Sequence, residues 1–188
     1  NNSYLFSIIK NIEINEKLKK SLLNDKYFLK KNNNLDKVKF ENYDLIINTD
    51  YNNFLTKKFF NKKIIKKYNS VAFSTIIKHE KISNNVAVQI FTKNGPLAFL
   101  PMSNNETSIV YSVKKSTDTS RGNINKLIEH YNFKYKIKKI NKIQTFLLNG
   151  SSLRSYCYKN ILAFGDLLHK IHPLAGQGFN MTIRDINI

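Results

Sequence analysis

Of the six glycines in this 188-residue chain, three lie in one short stretch, Phe164–Asp185, FGDLLHKIHPLAGQGFNMTIRD. Glycine appears where backbone must turn sharply or let another group come close, because it carries no Cβ. Upstream, the apolar run NILAFGD predicts a buried strand ending at Gly165-Asp166. A loop with Pro173, Gly176 and Gly178 follows, then a helical pattern from about Phe179. Polar groups are thus predicted at the carboxyl end of a strand and the amino end of a helix, where open α/β sheets bind cofactors. A helix start carries about half a positive charge, so this site suits a group that becomes negative.

Other segments supply the rest of the fold. Leu5, Ile8, Ile9 and Ile12 recur at helical spacing and predict a short helix from Ser3 to about Asn11, with short strands and turns in the Lys/Asn-rich stretch after it. YDLIINTD (Tyr43 to Asp50) suits a buried strand. From about Asn52 to Arg154 the texture is β-branched, aromatic and partly alternating, as in SVAFSTIIKHE, NNVAVQIFTKNGPLAFLPM and TSIVYSVKK. This predicts an antiparallel sheet, with Asn94-Gly95 turning between Val86 to Phe91 and Leu97 to Leu100. Ile124, Leu127, Ile128 and Tyr131 mark one helix. The fold class is α/β: a partial Rossmann-like domain carrying an inserted β-sheet-rich domain.

A net charge of +18 invites a nucleic-acid partner. Against this, 28 of the basic residues are Lys and only Arg121, Arg154 and Arg184 are Arg, whereas phosphate and base readout recruits Arg forks. With 27 Asn and 23 Ile beside the Lys, the pattern looks like the compositional drift of an AT-rich genome. No specific nucleic-acid partner is expected, and the Lys-dense Lys57 to Lys67 reads as a solvated face. Neither a membrane span nor a signal peptide is apparent, and a single cysteine, Cys157, gives no disulfide framework. The expected location is cytoplasmic, with weak attraction to an anionic membrane surface allowed. His169 and His172 form H-x-x-H, but further ligands could come only from Cys157, His79 and His130, distant in sequence, so no metal site is expected.

GDLLHKIHPLAGQGFNMTIRD resembles the second flavin-binding motif of the FAD-dependent aromatic hydroxylases of the para-hydroxybenzoate hydroxylase fold, Gly-Asp-x-x-His followed by Pro-x-x-Gly-Gln-Gly-x-Asn. FTKNGPLAFLP (Phe91 to Pro101) is similar to a Gly-Pro strand of the ubiquinone-biosynthesis hydroxylases in that class, and YDLIINTD falls where the family enters its Asp-Gly motif. The resemblance implies that Gly165, Asp166, His169, Pro173, Gly176, Gln177, Gly178 and Asn180 bind FAD, with Asp50 contributing at the Asp-Gly position. Asp166 would accept hydrogen bonds from ribityl hydroxyls, and Gly176, Gln177 and Gly178 would lie along the flavin ring. Gly95, Pro96, Leu100 and Pro101 would wall a substrate pocket; without the resemblance they read as a hairpin turn and a core strand.

By the same resemblance the expected activity is FAD-dependent monooxygenation of an aromatic ring, a polyprenylated phenol on the route to ubiquinone, with NAD(P)H as reductant and O2 as oxygen source. Peripheral association with the inner membrane or with a ubiquinone-biosynthesis complex would follow. The alternatives are a hydroxylase of a small soluble aromatic, and a non-catalytic decayed homologue or basic binding module. Two departures accompany the match. Tyr51 stands where the Asp-Gly motif has Gly, with Phe54 and Lys57 in place of its Ser and Arg. No strand, G-x-G-x-x-G and helix for an ADP pyrophosphate occurs in the chain, which leads to the expectation of an internal piece of a longer enzyme. Its expected domains are 1–52 and 155–188 for FAD and 53–154 for substrate.

Overall fold

The computed structural model describes residues 7–31, 39–115, 121–170 and 177–187. In chain order the elements are α1 (Asn11–Leu23), β1 (Ile46–Asn48), α2 (Phe54–Phe59), β2 (Lys63–His79), β3 (Val88–Thr92), β4 (Gly95–Ser103) and β5 (Glu106–Lys114). They continue with α3 (Arg121–His130), β6 (Ile137–Ile140), β7 (Gln144–Leu153), β8 (Cys157–Tyr158), β9 (Ile161–Ala163), β10 (His169–Lys170) and α4 (Gln177–Ile186). One sheet runs β10-β7-β2-β5-β4-β3, with β6 also on β2; the other is β1-β9-β8. Two compact units result, Asn1–Lys30 with Ser70–Leu147 and Lys31–Asn69 with Leu148–Ile188. These boundaries differ from the expected 1–52, 53–154 and 155–188, because α2 and the first part of β2 sit in the second unit and the N-terminal segment in the first.

The first unit is built on the alternation visible in TSIVYSV. On β5, Thr107, Ile109, Tyr111 and Val113 are buried, while Ser108, Val110 and Ser112 on the opposite face are half-buried. Register carries the pattern across the sheet: Phe73 pairs with Tyr111 and Tyr111 with Leu97, all buried. Ile124 and Ile128 of α3, with Tyr135 and Ile143, complete this core. Each fully buried side chain of this size contributes about 1.5 to 3 kcal/mol.

A directed chain of hydrogen bonds runs through the same unit. Nδ1 of His79 lies 2.8 Å from the carbonyl of Glu80, which can only accept, so Nδ1 carries the proton. Nε2 then accepts from the hydroxyl of Thr107 at 3.0 Å. That oxygen accepts from Asn84 Nδ2 at 2.9 Å, and Asn84 Oδ1 accepts from the Tyr135 hydroxyl at 3.0 Å. Four polar side chains are thereby housed in an apolar core, where an unmade bond is costly.

The N-terminal helix departs from the sequence expectation. The helix predicted from Ser3 to about Asn11 lies partly outside the described residues, and residues 7–10 are not helical. α1 begins instead at Asn11 and occupies the stretch expected to hold strands and turns. It buries none of its residues, although Ile14, Leu18 and Leu22 recur at i,i+4 spacing. Glu13 with Lys17 and Glu16 with Lys20 stand at i,i+4 spacing, which supports a solvated helix. Lys10, just before it, is tied by a 2.7 Å ion pair to Glu106.

In the second unit, β1 pairs in parallel with β9 (Ile46↔Ile161, Ile47↔Leu162, Asn48↔Ala163), and β8 pairs antiparallel with β9. The strand expected over Tyr43 to Asp50 is only three residues long, with Ile47 57% exposed and Asn48 buried. Leu55, Phe60, Leu153, Ile161, Ala163 and Leu167 form the core of this unit. Asn53 caps α2 by accepting from Thr56 N at 2.9 Å, which holds the loop after β1. No helix among the described residues is long and apolar enough to cross a membrane.

Candidate functional site

The glycine-rich stretch of the opening forms a strand, a tight turn and a helix. Ile161 and Ala163 of β9 are buried, and Phe164 N donates to Asn48 O at 2.9 Å, carrying the pairing one residue past β9. Gly165 then adopts φ +64, the left-handed region that glycine enters without a Cβ penalty, and the chain closes a 3-10 turn over Gly165–Leu167. Leu168 N donates to Gly165 O at 3.0 Å. Gly165 and Leu167 are buried on either side of the exposed Asp166, so the turn is anchored while its carboxylate projects outward.

β10 follows and pairs with β7, His169 opposite Ser152. α4 returns to the turn: a Cβ placed on Gly178 would lie 4.0 Å from Asp166 Oδ1, and one placed on Gly165 would lie 4.0 Å from Thr182 Cγ2. The Asp166 carboxylate therefore faces the first turn of α4. His169 Nε2 lies 3.6 Å from Asp185 Oδ2, which ties β10 to the far part of the same helix.

The structure brings together Gly165, Asp166, His169 and Gly178. Asn180 is exposed on α4, and Gln177 opens that helix. Pro173 and Gly176 lie outside the described residues. Asp50 is exposed, and its Oδ1 accepts from Asn52 N at 2.8 Å, so this carboxylate stabilises its own loop. Beside it stands Tyr51, which sequence reasoning noted only as a departure from a motif. Its hydroxyl donates to the main-chain carbonyl of Asp166. Burial raises the phenol's pKa above its ordinary value, the Asp166 charge adds to this, and a hydrogen bond with Ser151 opposes it. The cleft lined by Tyr51, Thr56, Phe60, Lys63, Ser151, Ser152, Leu153 and Leu167 has a cavity of ≈ 10 Å³. That is room for about one water, so no ring-sized ligand enters there.

On β4, Gly95, Pro96, Leu100 and Pro101 are half-buried, whereas Leu97 and Phe99 between them are fully buried. Gly95 has φ +148, and a Cβ on it would come within 2.0 Å of Ser112 O on β5. Close approach of the neighbouring strand is a sufficient reason for this glycine.

No protein-family model matches the chain. Among curated proteins it is 26% identical over 130 residues to the ubiquinone hydroxylase UbiL of Rhodospirillum rubrum, covering 64% of this chain and 30% of that protein. It is 30% identical over 105 residues to the 3-demethoxyubiquinol 3-hydroxylase of Escherichia coli, covering 53% and 27%. With the human ubiquinone biosynthesis monooxygenase COQ6 it shares 27% over 158 residues, covering 63% and 34%. The chain is a homologue of the ubiquinone-biosynthesis hydroxylases. It spans about a third of the length of these homologues.

Solved structures agree on the fold. The flavin-dependent halogenase CmlS superposes with a TM-score of 0.57 at 12% identity, over 75% of this chain and 28% of that one. The flavin-dependent brominase Bmp2 gives 0.57 at 12% identity, over 75% and 40%. This hydroxylase homologue thus has the α/β, strand-rich fold of the flavin-dependent halogenases and hydroxylases, as its sequence predicts.

Proposed function

We propose that the protein is an FAD-dependent monooxygenase that hydroxylates the aromatic ring of a polyprenylated ubiquinone precursor, using NAD(P)H and O2. The observation that carries this reading is the Asp166 carboxylate presented at the end of a parallel strand toward Gly178 in the first turn of α4. Homology to hydroxylases that act in ubiquinone biosynthesis supports the substrate class.

The residues fit a flavin. Asp166 is an exposed acceptor on an anchored turn, suited to polyol hydroxyls, which donate. Gly178 leaves open the space a Cβ would fill in front of that carboxylate. The first turn of α4 carries N-H groups with no acceptor inside the helix and a partial positive charge, worth about 0.3 to 1 kcal/mol to a nearby anion. Asp166 would hold the ribityl chain, and the backbone of Gln177 and Gly178 would face the end of the ring that becomes anionic on reduction. Bound FAD would supply the redox chemistry, accepting reducing equivalents from NAD(P)H and activating O2. His169 and Asp185 would keep α4 in register with the turn. The half-buried face of β4, with Pro96 and Leu100, would wall the substrate pocket. A polyprenyl tail would draw the protein to a membrane surface, and the Lys-rich composition would favour an anionic one.

FAD titration followed by flavin fluorescence tests the site. Asp166→Ala removes the acceptor and is expected to weaken FAD by roughly ten- to a hundredfold, about 1 to 3 kcal/mol. FAD binding equal to that of the parent would refute the assignment.

A further inference from the structure

We propose that Tyr51 is a positioning residue for Asp166, taking over by a side-chain tether what a glycine at this position cannot do. The inference rests on the flavin reading of Asp166 given above. Three observations carry it.

First, the Tyr51 hydroxyl donates to the main-chain carbonyl of Asp166, not to its carboxylate. The peptide plane that follows Asp166 is thereby held, and the carboxylate stays free toward Gly178. Second, burial of Gly165 and Leu167 anchors the flanks of the turn but leaves Asp166 between them exposed. Gly165 enters it at φ +64, a conformation of the most permissive residue, and one backbone bond, Leu168 N to Gly165 O at 3.0 Å, closes it. Third, the ring is itself fixed. It packs against the apolar cluster of Leu55, Phe60, Leu153 and Leu167, and the loop that bears it is clamped on both sides. The Thr56 hydroxyl donates to Asp50 O, and Asn53 Nδ2 donates to Asn48 Oδ1 at 2.6 Å.

A tether anchored in a core can orient a neighbour; one on a loose loop would only follow it. Asp166 is thus held from behind by a residue 115 positions away, while its ligand-facing oxygens keep their full acceptor capacity.

The test is a double-mutant cycle read by FAD affinity in the parent, Tyr51→Phe, Asp166→Ala and the double variant. Tyr51→Phe keeps the ring and removes the hydroxyl with its bonds to Asp166 O and Ser151, so folding by circular dichroism should match the parent. Its FAD affinity should fall about three- to tenfold, the size of one lost neutral hydrogen bond. In the Asp166→Ala background the same substitution should cost nothing further, because there is no carboxylate left to aim. Equal losses in both backgrounds would overturn the positioning role. So would parent-like affinity in Tyr51→Phe while Asp166→Ala is weakened, and that result would leave the flavin reading intact. If Asp166→Ala itself binds FAD like the parent, the flavin reading falls and the tether has no function to serve. Amide exchange at Leu168 gives a readout independent of FAD: it should quicken in Tyr51→Phe, and an unchanged rate would mean that the turn does not need the tether.

Discussion

His169 Nε2 and Asp185 Oδ2 face one another across 3.6 Å, and neither atom has a hydrogen-bond partner among the described residues. The pair joins β10 to α4, the helix whose first turn faces Asp166. Asp185→Ala removes the carboxylate that faces the ring and is expected to cost up to about 1 kcal/mol in urea unfolding. Replacing both residues with Leu should recover most of that loss, since an apolar pair of similar volume avoids the desolvation cost. A double variant no better than the single one would show that the two side chains do not act as a pair.

Gly178 offers a contrast between folding and binding. A Cβ there would meet Asp166 Oδ1 at an ordinary 4.0 Å, so the protein's own packing does not require glycine. Gly178→Ala should therefore unfold at or slightly above the parent's midpoint, because alanine favours a helix by about 0.8 to 1 kcal/mol. FAD affinity should nevertheless drop, since the added methyl occupies the proposed ligand space. Calorimetry and fluorescence titration on the same samples separate the two effects.

Gly95 behaves in the opposite way. With φ +148 and a virtual Cβ within 2.0 Å of Ser112 O, Gly95→Ala forces β4 and β5 apart. A loss of about 2 kcal/mol or more is expected in denaturant unfolding. Stability like that of the parent would mean that the hairpin end relaxes freely.

Thr107→Val tests the hydrogen-bond chain of the first unit. The substitution is nearly isosteric, yet it removes the donor to His79 Nε2 and an acceptor for Asn84 Nδ2. Asn84 keeps Ser103 O at 2.8 Å, whereas the imidazole keeps only its Nδ1 bond. About 1 to 3 kcal/mol should be lost, read as a shift of the urea midpoint.

Glu106 links acidity to the N-terminal helix. The hydrogen bond from Lys10, opposed by burial and reinforced by the charges of Lys10 and Lys78, holds its carboxyl below the ordinary value of 4.5. A carboxyl depressed in the folded state contributes stability that is present above its ordinary pKa and is lost as pH falls through the lowered one. Lys10 O accepts from Glu13 N at 3.0 Å at the start of α1, so protection of that amide should decline below about pH 4.5. Glu106→Gln should remove this pH dependence, and high salt should weaken it.

What could be read from the sequence follows from where each residue's partner lies. β5 was legible because Thr107, Ile109, Tyr111 and Val113 alternate with less buried neighbours, and α3 because Ile124 and Ile128 recur at helical spacing. Both record burial in local periodicity. α1 buries none of its residues, so the i,i+4 spacing of Ile14, Leu18 and Leu22 records no core face; within β7 Phe146 and Leu147 are both exposed, and no apolar alternation marks the strand. Gly165, Asp166 and His169 stand close together in the chain, and glycine marks the turn between them. The Tyr51 tether joins positions 115 residues apart and has no local signature, which is why the same residue reads as a blemish in a motif and, once folded, as a contact.

The parallel pairing of β1 with β9 joins Ile46 to Ile161. A ribosome adding roughly 5 to 20 residues per second needs about 6 to 23 s to make the intervening chain. Throughout that interval β1 has no partner strand, and the loop bearing Asp50 and Tyr51 has nothing to hold. The antiparallel β2–β5 pair finishes much sooner, its register running from Ser70↔Lys114 to Lys78↔Glu106. Nascent chains paused before residue 161 should therefore contain a protease-resistant β2–β5 core beside a cleavable β1 segment, and the ligand-facing turn should take shape after that core.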